Sequence, residues 1–148
     1  MAGNGIPQFT RNGVVGSAIS TAGNTSSAGN GTIGVDIWNV VTADALNGTF
    51  IEFVRFIAIA TTPTTMTPTV GRIFVSMVTA GITTVADTFL LAEVALPAAS
   101  ADSATNGGNP LDIPVNFRLP AGWALLFTTH AAPVANSNWR VIAVGGDY

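Results

Sequence analysis

The alternation of apolar and polar residues is clearest between Leu111 and Leu119, where every second residue is apolar and the positions between hold Asp112, Pro114, Asn116 and Arg118. A period of two is that of a β-strand with one buried face and one face in solvent. Proline lacks the amide hydrogen that a sheet hydrogen bond needs. Pro114, on the solvent side, therefore predicts that this strand lies at a sheet edge or contains a bulge.

Short apolar runs of the same kind, rich in Val, Ile, Thr, Phe and Trp, fill the chain after residue 31, with a further run before it. They predict strands at 14–19, 33–42, 49–60, 70–79, 87–96, 111–119, 123–130 and 138–144. Asn47 and Gly48 have the composition of a two-residue hairpin turn. No segment has a sustained helical period, and only 92–101 would accommodate a helical turn. About eight short strands without helices predict an all-β fold, an antiparallel β-sandwich that is jelly-roll-like.

Residues 1–31 differ from the rest because Gly, Asn, Ser, Thr and Ala dominate them. We predict an extended N-terminal arm over 1–31 and a single β-sandwich domain over 32–148. Chain ends of this composition are usually ordered only when another element holds them. We expect a neighbouring subunit or partner to do so, through the apolar residues and the one arginine of the arm: Ile6, Phe9, Arg11, Val14 and Val15. The alternative is an arm that lies along its own domain.

The strand predicted at 49–60 is apolar on both faces. Alternation would place Phe50, Val54 and Phe56 on one side, and Ile51, Phe53, Ile57 and Ile59 on the other. A two-layer sandwich buries only one face of each sheet, so a second subunit is the simplest cover for the other face. The pattern therefore predicts a homo-oligomer.

Two segments are predicted as connections. Residues 61–69, rich in Thr and with two prolines, should form an extended connector rather than a strand. Residues 98–110 are small and polar, as in a long exposed loop.

Composition narrows the classes of function. Charged residues make up 9 % of the chain and hydrophobic residues 48 %, against about 25 % charged in an average soluble protein. This excludes disorder over most of the chain. The chain has no lysine and its five arginines are scattered, so nucleic-acid binding by phosphate neutralisation is not expected. The most apolar stretch, 50–60, contains Glu52 and Arg55 and is about half a membrane span, so no membrane association is expected either.

Candidate catalytic motifs each have a simpler interpretation. Residues 29–34 match the GxGxxG pattern, but a strand-like run follows them where the dinucleotide fingerprint needs a helix. His130 is the only histidine and stands at a strand end, which favours a structural role. The carboxylates are not paired locally, and Glu52 and Glu93, inside apolar strands, are expected to pair with arginines. We therefore expect no enzyme, no cofactor and no bound metal.

Three tryptophans, Trp38, Trp123 and Trp139, allow two interpretations. An exposed coplanar pair would form a platform on which a sugar could stack. Trp123 and Trp139 lie on neighbouring predicted strands, and a cross-strand core or interface pair is the simpler alternative.

The Gly/Asn/Ser/Thr-rich arm, the Thr/Ala/Val-rich strands and two C-terminal segments, Leu119-Pro120-Ala121-Gly122-Trp123 and 139–148 (WRVIAVGGDY), together resemble small bacteriophage virion proteins. In particular, they resemble the β-sandwich head-decoration (cement) proteins and related tail-surface domains. The resemblance covers about thirty C-terminal residues and the overall composition.

The resemblance implies a virion protein assembled in the host cytoplasm. Its partners would be copies of itself, in a trimer or other ring, and the major capsid protein or another virion protein. It carries over no catalytic or ligand-binding residue. A recognition module, such as a carbohydrate-binding tail-fibre tip, is the alternative, and a small β-sandwich hydrolase would need two carboxylates or His130 in one cleft.

Overall fold

The computed structural model describes residues 12–101 and 110–148. Twelve strands and no helix lie within these residues. The strands are β1 (Asn12–Ile19), β2 (Gly31–Thr32), β3 (Trp38–Thr42), β4 (Thr49–Ala60), β5 (Thr64–Met66), β6 (Thr69–Ser76), β7 (Ile82–Thr83), β8 (Thr88–Leu96), β9 (Ala99–Ala101), β10 (Leu111–Leu119), β11 (Ala124–Thr129) and β12 (Ser137–Asp147).

Eight of these strands form two four-stranded sheets. The first sheet has the order β1-β12-β4-β10 and the second has the order β3-β11-β6-β8, with every neighbouring pair antiparallel. Counted along the chain, the first sheet holds the first, eighth, third and sixth of the eight strands. The second sheet holds the second, seventh, fourth and fifth.

The two sheets pack face to face over one main apolar core. Phe56 of the first sheet and Phe127 of the second meet edge to face, with ring centroids 6.3 Å apart. Trp139 of β12 is also fully enclosed. The predicted all-β antiparallel sandwich is confirmed.

The predicted strand at 111–119 is confirmed in each of its features. β10 is an edge strand of the first sheet, and its pairing with β4 shifts register between Pro114 and Phe117. Asn116 in this bulge has a φ of 45°, a conformation that Asn tolerates better than most residues. Pro114 is thus accommodated both at an edge and next to a bulge.

The predicted faces of β4 are wrong at Phe50 and Ile51. Ile51 is buried and Phe50 is only partly buried, whereas alternation from Val54 placed them the other way round. The cause is a bulge: Val144 of β12 pairs with Phe53 and Gly145 pairs with Ile51, so Glu52 has no partner on β12. One extra residue reverses the alternation beyond it.

Three other predictions are corrected by the structure. The strand predicted at 33–42 begins only at Trp38, because Gly34, with a φ of 87°, forms a turn closed by a bond from its amide to the Ile37 carbonyl. Asn47 and Gly48 make no hairpin turn: β3 and β4 lie in different sheets, and the turn between them is a corner. Residues 92–101 contain strand rather than a helical turn.

The two predicted connections also contain short strands. β5, within 61–69, pairs with β9, within 98–110. Ala99 and Ala101 are buried, because their small side chains fit beneath this two-stranded ribbon. Residues 102–109 of the predicted loop lie outside the described residues.

Residues 12–31 of the predicted arm lie along the sandwich. β1 pairs with β12 over its whole length, from Asn12 with Asp147 to Ile19 with Arg140. Beyond β1, the amide of Asn24 donates to the carbonyl of Thr129 at 2.8 Å. The division of the chain at residue 31 into arm and domain stays a prediction, and residues 1–11 lie outside the described residues.

Candidate interaction surface

The outer face of the first sheet carries many apolar side chains among its polar and charged ones. Residues that pair across a sheet share a face, and one row across all four strands consists of Val15, Val144, Phe53 and Pro114. The same face carries further apolar side chains, none of which is fully buried. We call the following set the outer apolar face: Val15, Phe50, Phe53, Ile57, Ile59, Ile142 and Val144. Val15 is the most open of them, at 72 % exposure.

One ion pair lies within the outer apolar face, because Arg55 stands between Phe53 and Ile57 on β4 and Asp112 is opposite it on β10. Arg55 donates two hydrogen bonds of 2.6 Å to the two carboxylate oxygens of Asp112. These bonds lower the pKa of Asp112 and raise that of Arg55. The Arg55 guanidinium also lies over the Phe53 ring, 5.7 Å from its centroid. Both charged groups are more than one-third exposed, so the ion pair contributes little to the stability of the fold. Its main effect is to fix the orientation of the two side chains.

A second apolar surface lies between β8 and β10, the edge strands on one side of the sandwich. A groove of about 260 Å³ opens there, lined by apolar side chains. We call the following set the edge groove: Val75, Phe89, Leu90, Leu91, Phe117 and Trp123. The rings of Phe89 and Trp123 stack with centroids 6.2 Å apart and an interplanar angle of 18°.

The edge groove owes its shape to a bulge in β8. Phe74 of β6 pairs with Leu90 and Ile73 pairs with Ala92, so Leu91 has no partner on β6. As a result, three consecutive large residues remain open, with exposures of 47 % for Phe89, 43 % for Leu90 and 36 % for Leu91. Sequence reasoning missed this site. The signal was the Phe-Leu-Leu run, which a strand with strict alternation cannot bury on one face.

Among the described residues, Arg72 is the one buried cation, and it belongs to a polar cluster on the second sheet. Arg72 donates to Glu93 at 2.6 Å, to the carbonyl of Asn24 at 3.1 Å and to Nδ1 of His130 at 3.2 Å. Because a guanidinium can only donate, this geometry requires an unprotonated Nδ1 on His130. The predicted pairing of Glu93 with an arginine is confirmed. In the described residues Glu52 has no ion-pair partner, because the bulge turns it outward.

The cluster around Arg72 has a structural role. The three contacts of Arg72 tie β6 to three other parts of the chain: β8, the segment after β1 and the end of β11. In the described ranges no three His, Asp or Glu side chains are grouped as metal ligands would be. Over those same ranges there is no helix of the length and apolarity that would let it cross a membrane.

The predicted contact residues of the arm are separated by the structure. Val14 points inward and packs against the main core, while Val15 points outward on the outer apolar face. Ile6, Phe9 and Arg11 lie outside the described residues. The role of all five as partner contacts stays a prediction.

The tryptophans do not form the predicted cross-strand pair. Trp139 is buried in the first sheet, whereas Trp123 precedes β11 of the second sheet and lines the edge groove. Trp38 packs on Phe127 in the core, with centroids 5.7 Å apart. The neighbouring strands predicted for Trp123 and Trp139 are in opposite sheets because the chain crosses the sandwich between β11 and β12.

No family model and no curated protein matches the sequence. A chain of the solved structure "Cyanophage Pam1 capsid asymmetric unit" is similar over 97 % of this chain and 91 % of that one, with 15 % identity and a TM-score of 0.42. A chain of infectious bursal disease virus, Gx strain, is similar over 93 % of this chain and 34 % of that one, with 15 % identity and a TM-score of 0.31.

Proposed function

We propose that this protein is a non-enzymatic virion structural protein, a capsid decoration protein that works as a homo-oligomer. The observation that carries this proposal is the outer apolar face. The solvent-exposed face of an antiparallel sheet is normally polar. A contiguous exposed apolar patch on such a face marks a contact site. Here a row from β1 to β10 is apolar in all four strands.

Two further observations support the assignment to a virion. The C-terminal segments resemble phage decoration proteins, as described above. The strand order, with the first, eighth, third and sixth strands in one sheet, supports the jelly-roll connectivity that the resemblance implies. A trimer is the ring we favour, on the resemblance alone.

The oligomer is tested by light scattering coupled to size exclusion. We expect the wild type to elute as an oligomer and Val15→Asp to elute as a monomer, because a carboxylate would be desolvated in the contact. Val35→Asp is the matched control: Val35 is also exposed, at 61 %, but lies in the turn before β3. Both variants should keep the wild-type far-ultraviolet circular dichroism, and only Val15→Asp should lose the concentration dependence of the melting temperature. A wild type that is monomeric at all concentrations would refute the oligomer.

Attachment to a particle is tested separately. Undecorated capsids, assembled from the major capsid protein of the same phage, would be sedimented with the wild type and with a variant lacking residues 2–11. This deletion leaves β1 and its pairing with β12 in place. We expect the wild type to sediment with the capsids and the deletion variant to bind less. No binding of the wild type would contradict the decoration role.

The stacked pair of Phe89 and Trp123 favours a second candidate, a carbohydrate-binding surface. Aromatic rings at the mouth of an open groove can support a sugar ring. In that case a soluble oligosaccharide such as maltoheptaose would quench tryptophan fluorescence, and Trp123→Ala would abolish the quenching.

A further inference from the structure

We propose that the edge groove is the receptor for the N-terminal segment around Ile6 and Phe9 of a second copy of this chain. This inference rests on the proposed homo-oligomer and names the contact that would link one subunit to the next. The groove offers only apolar side chains, and residues 1–10 contain no charged side chain. An uncharged segment with Ile6, Pro7 and Phe9 is chemically suited to it.

The start of β1 lies at the end of the sandwich where the groove opens. Asn12 pairs with Asp147, Asp147 with Thr49, and Thr49 with Leu119, so these four residues form one row across the first sheet. Phe117 of the groove stands two residues before Leu119. Trp123, on the other side of the groove, follows Leu119 by one short turn.

The length of the segment limits which groove it can reach. Three strand spacings separate β1 from β10, about 14 Å. Phe9 and Ile6 stand three and six residues before Asn12, so an extended chain carries them at most about 10 Å and about 20 Å from the start of β1. Phe9 therefore falls short of the groove of its own subunit, whereas the groove of a subunit packed beside β1 is within its reach. By contrast, Pro110, which follows the undescribed residues 102–109 in the sequence, lies at the opposite end of β10 from Phe117.

The position of Val15 favours a second copy as the source of the segment. Val15 is three residues from Asn12 and lies on the outer apolar face, where we propose that another subunit packs. The segment before Asn12 therefore emerges beside the neighbouring subunit. On this model each subunit would give its segment to one neighbour and receive one in its own groove.

Cross-linking tests the assignment directly, because the chain contains no cysteine. A Phe9→Cys variant would be mixed with a Leu91→Cys variant under mild oxidation, and the products separated without reductant. We expect a covalent dimer in several-fold higher yield than with Val85→Cys in place of Leu91→Cys. Val85 is exposed and precedes β8, but lies outside the groove. Melting temperatures of all variants would first be matched to the wild type.

A second measurement keeps the test independent of the introduced cysteines. A fluorescent peptide of residues 1–11 would be titrated onto the variant lacking residues 2–11. Saturable binding that Leu90→Ser abolishes supports the assignment. Absence of binding overturns it.

The remaining outcomes separate this inference from the proposed function. A double Phe9→Cys, Leu91→Cys variant that closes within one chain, with no dimer in the mixture, would assign the segment to its own subunit and overturn the exchange. An oligomer by light scattering without any cross-link would overturn the groove assignment and leave the outer apolar face as the contact. If the wild type is not an oligomer and no cross-link forms, both the proposed oligomer and the groove assignment are overturned. Fluorescence quenching by maltoheptaose without a cross-link would assign the groove to a glycan.

Discussion

Gly16 lies where β1 passes close to β3 of the second sheet. A Cβ atom at this position would collide with the Val40 carbonyl oxygen of β3, whereas one at Gly13 would meet nothing within 4 Å. Both glycines are on the same strand, so a substitution by alanine changes strand propensity equally at the two positions. A difference in stability between the two variants therefore reports the close contact between the sheets at Gly16.

The first prediction compares these two glycines. Gly16→Ala should lower the free energy of unfolding by about 1–3 kcal/mol, since the sheets must move apart to admit the methyl group. Gly13→Ala should change it by less than about 0.5 kcal/mol. Urea unfolding followed by tryptophan fluorescence would measure both. Equal effects would mean that β1 is not held against β3.

Asp44 stabilises the corner between β3 and β4. Its carboxylate accepts hydrogen bonds from the amides of Asn47, at 2.8 Å, and Leu46, at 3.0 Å. These bonds, that of Asn47 first, lower the pKa of Asp44 below its usual value. A lowered folded-state pKa means that the stabilisation is complete above the unfolded-state pKa, about 4, and disappears as the pH falls through the lower folded-state value.

The second prediction follows from this sign. The free energy of unfolding should decrease as the pH is lowered from about 5 to about 2, and the decrease should be shallower in Asp44→Asn. Asp87 and Asp112, whose pKa values are also lowered, would account for the remaining slope. Equal slopes in wild type and variant would show that the corner does not depend on the Asp44 charge.

At the scale of elements, β6 and β8 are joined by a cross-strand pair that also anchors the segment after β1. Arg72 and Glu93 are opposite each other in the ladder, and Arg72 reaches Asn24 and His130 as well. The Arg72 side chain is 8 % exposed and that of Glu93 is 45 % exposed. Removing the carboxylate therefore leaves a buried cation without its anion.

The third prediction is that Glu93→Gln costs about 1 kcal/mol of stability, the lower part of the usual range because solvent reaches Glu93. Glu52→Gln is the control, since Glu52 is the outward-turned residue of the β4 bulge, and should be neutral. Thermal unfolding would compare the two. A larger loss for Glu52→Gln would contradict the structural account of both residues.

The sequence predicted most elements because their apolar periods are local. It predicted the eight long strands, the edge position of β10 and the absence of helical periods. It did not predict the bulges at Glu52 and Leu91, because a bulge depends on how many residues the partner strand offers. For the same reason the edge groove could not be predicted: its lining comes from β6, β8, β10 and the turn before β11.

At the scale of the whole molecule, apolar residues are divided between a closed core and two open surfaces. Contacts between subunits through the outer apolar face would bury mainly apolar side chains, beside the charged groups of Arg55, Asp112 and Arg140 on the same face. Such contacts differ from charged ones in their response to salt. Salt screens exposed ion pairs, whereas sulfate strengthens apolar association.

The fourth prediction is that the oligomer persists or increases when sodium sulfate is raised from about 0.05 to 0.5 M. Analytical ultracentrifugation at several protein concentrations would measure the dissociation constant. Sodium chloride at the same ionic strength serves as the control for simple screening. Dissociation in both salts would point to ion pairs as the contact and against the outer apolar face.

The pairing of Asn12 with Asp147 has a practical consequence for protein engineering. The start of β1 and the end of β12 are neighbours in the first sheet. A peptide fused after Tyr148 would therefore emerge beside the start of β1. If that segment bridges subunits, bulky cargo at the C-terminus would compete with it for space. Displayed peptides should therefore be carried on a flexible spacer, or inserted at the exposed turn around Val35, away from this end of the sandwich.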